Sequence, residues 1–187
     1  HSCEMPQGNF WGQKTAQAAT DGLSRLDLVG IYELDWRQGE RFIYGLTEKG
    51  DGAGVRNAIN NLSFGDMQSF VPGLRATLNA LQSVKAGQKH VIIISDGDPT
   101  PPSAALLRQY VAAGISISTF AVFPHGFGMG SGDVKSMAAI AQATGGNHYF
   151  VNNTSGLAKL PQLFMKEAQV VKRSLIWEGE AFQPRQT

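Results

Sequence analysis

Two aspartates, Asp96 and Asp98, follow a run of four apolar residues at positions 91–94, with only Ser95 between the run and Asp96. A β-branched run of this length is typical of a strand that is buried on both faces of a parallel sheet. Open α/β sheets bind their ligands just beyond the carboxyl ends of such strands. A carboxylate at that point can contact a bound ligand directly, and Asp96 is therefore the first candidate site residue.

The stretch 96–100, Asp-Gly-Asp-Pro-Thr, also fits the Asp-x-Asp-x-Thr loop of haloacid-dehalogenase-type phosphatases. In those enzymes the first aspartate attacks phosphorus and the second handles protons. The reaction also requires a later lysine and a later pair of acids for Mg²⁺, whereas the downstream stretch 132–135 contains Asp133 without a second acid. That family also carries the motif on its first strand rather than in mid-chain. A Mg²⁺-dependent phosphatase that uses Asp96 and Asp98 is therefore kept as an alternative.

Composition and charge exclude several broad classes of protein. With 187 residues, 42% of them apolar, the chain is large enough to bury a core as one domain. A net charge of +1 gives no bulk attraction for nucleic acid or anionic membranes. The single cysteine, Cys3, excludes an internal disulfide and a cysteine-based metal cage. No apolar run reaches the roughly 18 residues of a transmembrane helix, so we expect no membrane insertion by this chain.

Apolar periodicity alternates between helical and strand patterns along almost the whole chain. Strands are predicted over residues 28–34, 41–46, 91–95, 115–123 and 148–151, and helices over 14–26, 53–61, 72–85, 103–113, 134–144 and 160–175. Leu26 and Val111 are expected on the buried faces of their helices. Such alternation predicts an α/β fold, a doubly wound and mostly parallel sheet flanked by helices on both faces. Because such a sheet starts with a central strand and none is seen here, we expect that strand upstream of this chain, which would then be a piece of a longer protein.

Five stretches of the chain occur in the order found in a known family. They are Ser2-Cys3-Glu4-Met5, Asp27-Leu28-Val29-Gly30-Ile31, residues 91–97 with the Ser-Asp-Gly turn, Gly114-Ile115-Ser116-Ile117-Ser118-Thr119, and residues 140–151. With these stretches the chain resembles the von Willebrand factor A domain, a Rossmann-like three-layer fold, over residues 1–175. Residues 176–187 are then a C-terminal tail or linker.

The resemblance implies a non-catalytic domain that recognises proteins. The surface implied for this role consists of the loops at the carboxyl end of the sheet, residues 2–11, 64–71 and 96–101. The stretch 160–176 is similar to a bacterial branch in which such domains belong to membrane-anchored proteins with a glutamine-amidotransferase-like domain. A bacterial cell-envelope location is therefore implied, with the membrane anchor elsewhere in the full protein.

Members of the family often hold a divalent cation at these loops, in a metal-ion-dependent adhesion site. The family pattern is Asp-x-Ser-x-Ser in the first loop, a threonine in the second and an aspartate in the third, which suits Mg²⁺ because this ion prefers six oxygen ligands. Aligned with this pattern, Ser2 and Glu4 take the two serine positions and Asp96 takes the third-loop position. The leading aspartate would lie upstream, and Ser69 or Asp66 is the nearest oxygen donor in the second loop. The resemblance therefore implies a degenerate site of Ser2, Glu4, Ser69 and Asp96 for Mg²⁺ or another divalent cation, with a metal-free rim as the alternative.

The predicted function is thus protein recognition by a domain of this type. Besides the phosphatase, a purely structural domain that packs against a neighbouring domain of the same polypeptide is a second alternative.

Overall fold

The fold is seen in a computed structural model that describes residues 10–35, 39–62, 68–123, 132–153, 155–156 and 158–167. The helices are α1 (Phe10–Asp21), α2 (Ala53–Asn60), α3 (Val71–Gln82), α4 (Ala104–Ala112), α5 (Gly132–Thr144) and α6 (158–167). The strands are β1 (Leu28–Asp35), β2 (Gly39–Glu48), β3 (Lys89–Ser95), β4 (Ile115–Val122) and β5 (His148–Val151). Helices and strands alternate as the periodicity of the sequence predicts.

The described strands form two sheets. β3, β4 and β5 pair in parallel in that order, with Ile92 opposite Ser118 and Ala121 opposite Phe150. β1 and β2 form an antiparallel hairpin whose register shifts near Ile31. The strand predicted over residues 41–46 is confirmed as β2, which lies at the edge beside β1. It is longer than predicted because it pairs with β1 along the whole of that strand.

Helices cover both faces of the parallel sheet. On one face, Tyr110 of α4 and Met137 of α5 pack with Ile117 of β4. On the other face, Phe164 of α6 packs on Phe120 of β4, with ring centroids 3.9 Å apart. Side chains of one strand alternate between the two faces, so β4 contributes to both cores. The predicted α/β fold with helices on both faces is confirmed.

Two details of the predicted helices are wrong. α1 ends at Asp21 rather than at residue 26, because a turn follows in which the Ser24 N–H donates to Asp27 Oδ2 at 2.6 Å. Leu26, expected on the buried face, is consequently 76% exposed. In α4, Val111 is 54% exposed, because the face of this helix that packs against the core is formed by Leu106 and Tyr110.

Two further predictions concern the ends of the chain and the membrane. Residues 168–187 lie outside the described part, so the domain boundary at residue 175 stays a prediction. Of the helices that the structure describes, none is both long enough and apolar enough to cross a membrane.

Candidate functional site

The carboxyl end of β3 positions the first candidate residue. β3 ends at Ser95, and Asp96 follows with 3% of its surface exposed. Ser95 Oγ accepts a hydrogen bond from the Gly97 N–H at 3.1 Å, and Asp96 Oδ1 accepts one from the Asp98 N–H at 3.4 Å. The apolar strand therefore carries Asp96 to the edge of the sheet, and the turn that follows closes around its carboxylate.

The Asp96 carboxyl group has a lowered pKa. Burial alone would raise the pKa, because it disfavours the charged form. Hydrogen bonds with Asp98, one of them from its backbone N–H, act in the opposite direction and favour the charged form. Asp96 is therefore ionised at neutral pH, and its oxygens can accept hydrogen bonds or contact a cation.

Gly97 allows the start of α5 to approach this turn closely. Its φ is +93°, in the left-handed region that favours glycine. A Cβ atom at this position would lie 2.9 Å from the carbonyl oxygen of Asp133, in the first turn of α5. The Ser-Asp-Gly turn is thus packed directly against a helix, and only glycine fits there without displacement of the backbone.

Main-chain hydrogen bonds join two of the predicted loops. The Thr100 N–H donates to the carbonyl oxygen of Gln68 at 2.9 Å, and the Phe70 N–H donates to the carbonyl oxygen of Thr100 at 3.1 Å. Ser69 lies between these two bonds and forms an isolated parallel bridge with Thr100. The second and third loops therefore lie side by side.

Residues 68–71 and 96–101 form one surface, which we call the rim. Asp96 is its buried acid, while Gln68, Asp98 and Thr100 are exposed. Of the four residues predicted for a metal site, the structure describes Ser69 and Asp96 and places both on the rim.

The other candidate residues, Ser2, Glu4 and Asp66, lie outside the described residues, as does most of the first loop. Among the residues that are described, no cluster of three or more His, Cys, Asp or Glu side chains could hold a metal ion. Mg²⁺ takes about six oxygen ligands. The described part of the rim alone therefore does not fit a strong divalent-cation site.

Sequence comparison identifies the family to which the chain belongs. The model of the von Willebrand factor type A domain matches residues 3–166. The chain belongs to the von Willebrand factor type A (VWA) family. Membership confirms the resemblance inferred from the five sequence stretches. VWA domains are generally protein-interaction modules, and they often bind a divalent metal.

Solved structures share the VWA-like fold at low sequence identity. An aerotolerance-related membrane protein from Bacteroides fragilis has a TM-score of 0.64 at 15% identity, over 86% of this chain and 87% of that one. BatB, a conserved hypothetical protein from Bacteroides thetaiotaomicron, has a TM-score of 0.60 at 16% identity, over 84% and 87%. The pilus adhesin SpaC from Lactobacillus rhamnosus GG has a TM-score of 0.62 at 11% identity, over 86% and 27%. At these identities the likeness shows the fold alone. No curated protein sequence matches the chain.

The opposite end of this VWA domain contains a buried polar cluster that sequence reasoning missed. Glu167, on α6, is 1% exposed. Its Oε2 accepts hydrogen bonds from the Tyr149 hydroxyl at 2.7 Å and from Asn147 Nδ2 at 3.1 Å, and its Oε1 accepts one from the Ser118 hydroxyl. His90 Nε2 lies 3.5 Å from Oε1, at ion-pair distance. One carboxylate thus connects α6 to the amino ends of β3 and β5 and to β4.

The pKa values within this cluster reflect the same contacts. Burial would raise the pKa of Glu167, but the contact with His90 and hydrogen bonds from Ser118, Tyr149 and Asn147 lower it to about 2. Burial, reinforced by the Glu167 carboxylate, raises the pKa of Tyr149 to about 12. The cluster therefore contains an ionised glutamate and a neutral tyrosine at neutral pH, which suits a structural role away from the rim.

Proposed function

We propose that this VWA domain recognises a protein partner through the rim. The observation that carries the proposal is the main-chain pairing between Ser69 and Thr100, because it holds two loops together beside the ionised Asp96. Exposed polar groups of Gln68, Asp98 and Thr100 can bond to a partner's backbone or side chains. The first loop was predicted over residues 2–11, but residues 10 and 11 belong to α1, and residues 2–9 are proposed to complete this surface.

We also propose that the domain is not an enzyme. A nucleophile must be reachable by its substrate, and Asp96 is 3% exposed beneath its own turn. The interaction role that is general in the VWA family supports the same conclusion. Turnover of 4-nitrophenyl phosphate in the presence of Mg²⁺, lost in Asp96→Asn, would instead favour the phosphatase alternative.

A weakly bound divalent cation is proposed as an accessory to the rim. Its ligands would be Ser2, Glu4, Ser69 and Asp96. Asp96 would supply the buried negative charge and Ser69 a hydroxyl oxygen, and water would fill the remaining positions. Glu4 in place of a serine adds a second carboxylate, which makes the cation less attractive to an acidic group of a partner.

Calorimetric titration with Mg²⁺ and Mn²⁺ is expected to give a Kd of about 1 mM or weaker, because few charged ligands are available. Asp96→Asn should abolish the binding heat. Asp21→Asn, which removes an exposed carboxylate at the end of α1, should leave it unchanged. A Kd of about 10 µM or tighter would contradict a degenerate site. Absence of binding heat in the unchanged chain would favour a rim that is held by hydrogen bonds alone.

For the parent protein we propose a bacterial cell-envelope location. Support comes from the VWA-like fold of an aerotolerance-related membrane protein and of a pilus adhesin, both from bacteria.

Site-specific photo-crosslinking tests recognition through the rim. A benzophenone amino acid replaces Thr100 on the rim or, as a matched control, Ala112 at the end of α4, which is also exposed. Incubated with the cell-envelope fraction of the source organism, the Thr100 variant is expected to give at least tenfold more of a discrete adduct. Equal or stronger labelling from Ala112 would contradict the proposal. Adducts formed only with another domain of the parent polypeptide would favour the structural alternative.

A further inference from the structure

Basic side chains gather at the end of the sheet that lies opposite the rim. Lys89 is the first residue of β3 and pairs with the first residue of β4. Lys85 is exposed in the loop between α3 and β3. Lys166 is exposed on α6, directly before Glu167, which accepts a hydrogen bond from Asn147 just ahead of β5. Three cations therefore lie near the amino ends of the parallel strands.

The turn after α1 brings Arg25 and Leu26 to the same end. A Cβ atom on Gly22, the first residue after α1, would lie 3.7 Å from Met165 Cγ of α6. Leu26 and Lys89 line the same cavity between β1 and β3. Arg25 is exposed, and Leu26 has 76% of its surface exposed. An apolar side chain thus stands in the open beside cations. The surface that we call the basic end consists of Arg25, Leu26, Lys85, Lys89 and Lys166.

The positive charge of the basic end is only partly offset by acids. In the part of the chain that the structure describes, none of its four cations forms a salt bridge. Aspartate and glutamate do not occur in the loops that lead into the three parallel strands, residues 83–88, 113–114 and 145–147. The nearby acids Asp21, Asp27 and Glu48 belong to the segments around β1 and β2 and offset part of the charge. The net charge of +1 for the whole chain therefore hides a local excess of positive charge.

The side chains of the basic end favour a lipid surface over nucleic acid as its partner. Unpaired bases stack on exposed aromatic side chains. The segments that form this end, residues 22–27, 83–89 and 145–147, contain no aromatic residue. At a membrane surface, cationic side chains attract anionic headgroups, while an adjacent apolar side chain enters the boundary between headgroups and acyl chains. Leu26, exposed next to Arg25, has this arrangement.

We propose that the basic end docks on a membrane surface of anionic phospholipids. Its four cations contact the headgroups, and Leu26 enters the boundary beneath them. β3 has seven residues and therefore spans roughly 23 Å between the basic end and the rim. Docking in this orientation directs the rim away from the membrane, where a protein partner can reach it. The proposal concerns a separate surface and does not depend on recognition through the rim.

Co-sedimentation of residues 1–187 with lipid vesicles tests the proposal. The vesicles contain about 40% phosphatidylglycerol in phosphatidylcholine, or phosphatidylcholine alone, in about 0.1 M NaCl. We expect partitioning onto the anionic vesicles to be stronger by at least about tenfold, because each cation near such a surface contributes about fivefold. Raising the NaCl concentration to about 0.5 M should remove most of this difference, since salt screens exposed charges.

Two double variants that change the net charge equally separate the basic end from the bulk charge of the chain. Lys85→Glu combined with Lys89→Glu should reduce binding to the level seen with phosphatidylcholine alone. Arg75→Glu combined with Lys135→Glu changes exposed residues in the first halves of α3 and α5, towards the rim, and should keep binding within about threefold of the unchanged chain. Leu26→Ser should weaken binding about fivefold without changing its dependence on salt.

Equal binding to the two kinds of vesicle would overturn the proposal. An equal loss in the two double variants would also overturn it, because net charge rather than the basic end would then cause the binding. Binding of poly-glutamate without binding of anionic vesicles would overturn it as well and would make an acidic protein the partner of this surface.

Discussion

Replacing Glu167 by leucine is expected to lower the free energy of unfolding by about 4 kcal/mol, because the buried Ser118 and the half-buried Tyr149 lose the acceptor that they share. The exposed Asn147 loses the same acceptor but can bond to water instead. For a chain of this size the loss corresponds to a fall in Tm of roughly 10 °C. Thermal and urea unfolding measure both quantities.

Two glutamine variants control this prediction. Glu167→Gln keeps an acceptor oxygen and nearly the same shape, so we expect a smaller loss than with leucine. Glu48→Gln changes an exposed glutamate at the end of β2 and should alter stability by less than about 0.5 kcal/mol. If Glu167→Leu is no more destabilising than Glu48→Gln, the carboxylate does not connect α6 to the sheet.

The same residue predicts a dependence of stability on pH. The pKa of Glu167 is lowered from 4.5 to about 2 on folding. Its contribution is therefore complete above about pH 4.5 and is lost as the pH falls towards 2, and it is on the order of 3 kcal/mol. In Glu167→Gln this part of the acid dependence should disappear. An unchanged slope between pH 5 and 2 would show that another acid causes it.

Gly97→Ala is expected to lower the free energy of unfolding by about 3 kcal/mol, because it combines two unfavourable effects. A φ of +93° is strained for alanine, and the new Cβ would lie 2.9 Å from the carbonyl oxygen of Asp133. Gly114→Ala is the matched control, since Gly114 also has a positive φ, +67°, but no atom lies within 4 Å of its Cβ position. The control should lose only about 1 kcal/mol.

Urea unfolding of the two glycine variants measures the difference between them. An equal loss in both would mean that α5 does not pack against the Ser-Asp-Gly turn. A strong loss of stability in Gly97→Ala alone would confirm the close contact between this turn and α5.

The elements that follow local rules could be predicted from the sequence. The apolar run at residues 91–94 predicted β3, and the periodicity over residues 103–113 predicted α4. In the structure Ser103 caps this helix, since its Oγ accepts a hydrogen bond from the Leu106 N–H at 3.3 Å. The end of α1 could not be predicted in this way. Apolar spacing continues to Leu26, but the turn closed by Asp27 ends the helix earlier.

The site was only partly predictable, for a physical reason. The position of Asp96 follows from the end of one strand, which is a local property. The pairing between Ser69 and Thr100 depends on main-chain bonds between loops about thirty residues apart, and side-chain types do not encode it. The position of Glu167 is also indicated by the spacing of residues in the sequence. It lies seven residues after Leu160 and three after Phe164, so it shares their buried helix face, where a charged residue requires a partner.

The central claim, that the first loop meets the rim, is tested most directly by distances measured from Cys3. Cys3 is the only cysteine, and its neighbours Ser2 and Glu4 are the proposed first-loop ligands. Spin labels are placed on Cys3 and on a cysteine introduced by Thr100→Cys or, in the control, by Ala112→Cys at the other end of the sheet. Electron–electron double resonance should give a distance to position 100 that is shorter by on the order of 10 Å, the length of α4, which separates the two labelled ends. Equal distances, or a shorter one to position 112, would contradict the recognition surface proposed here.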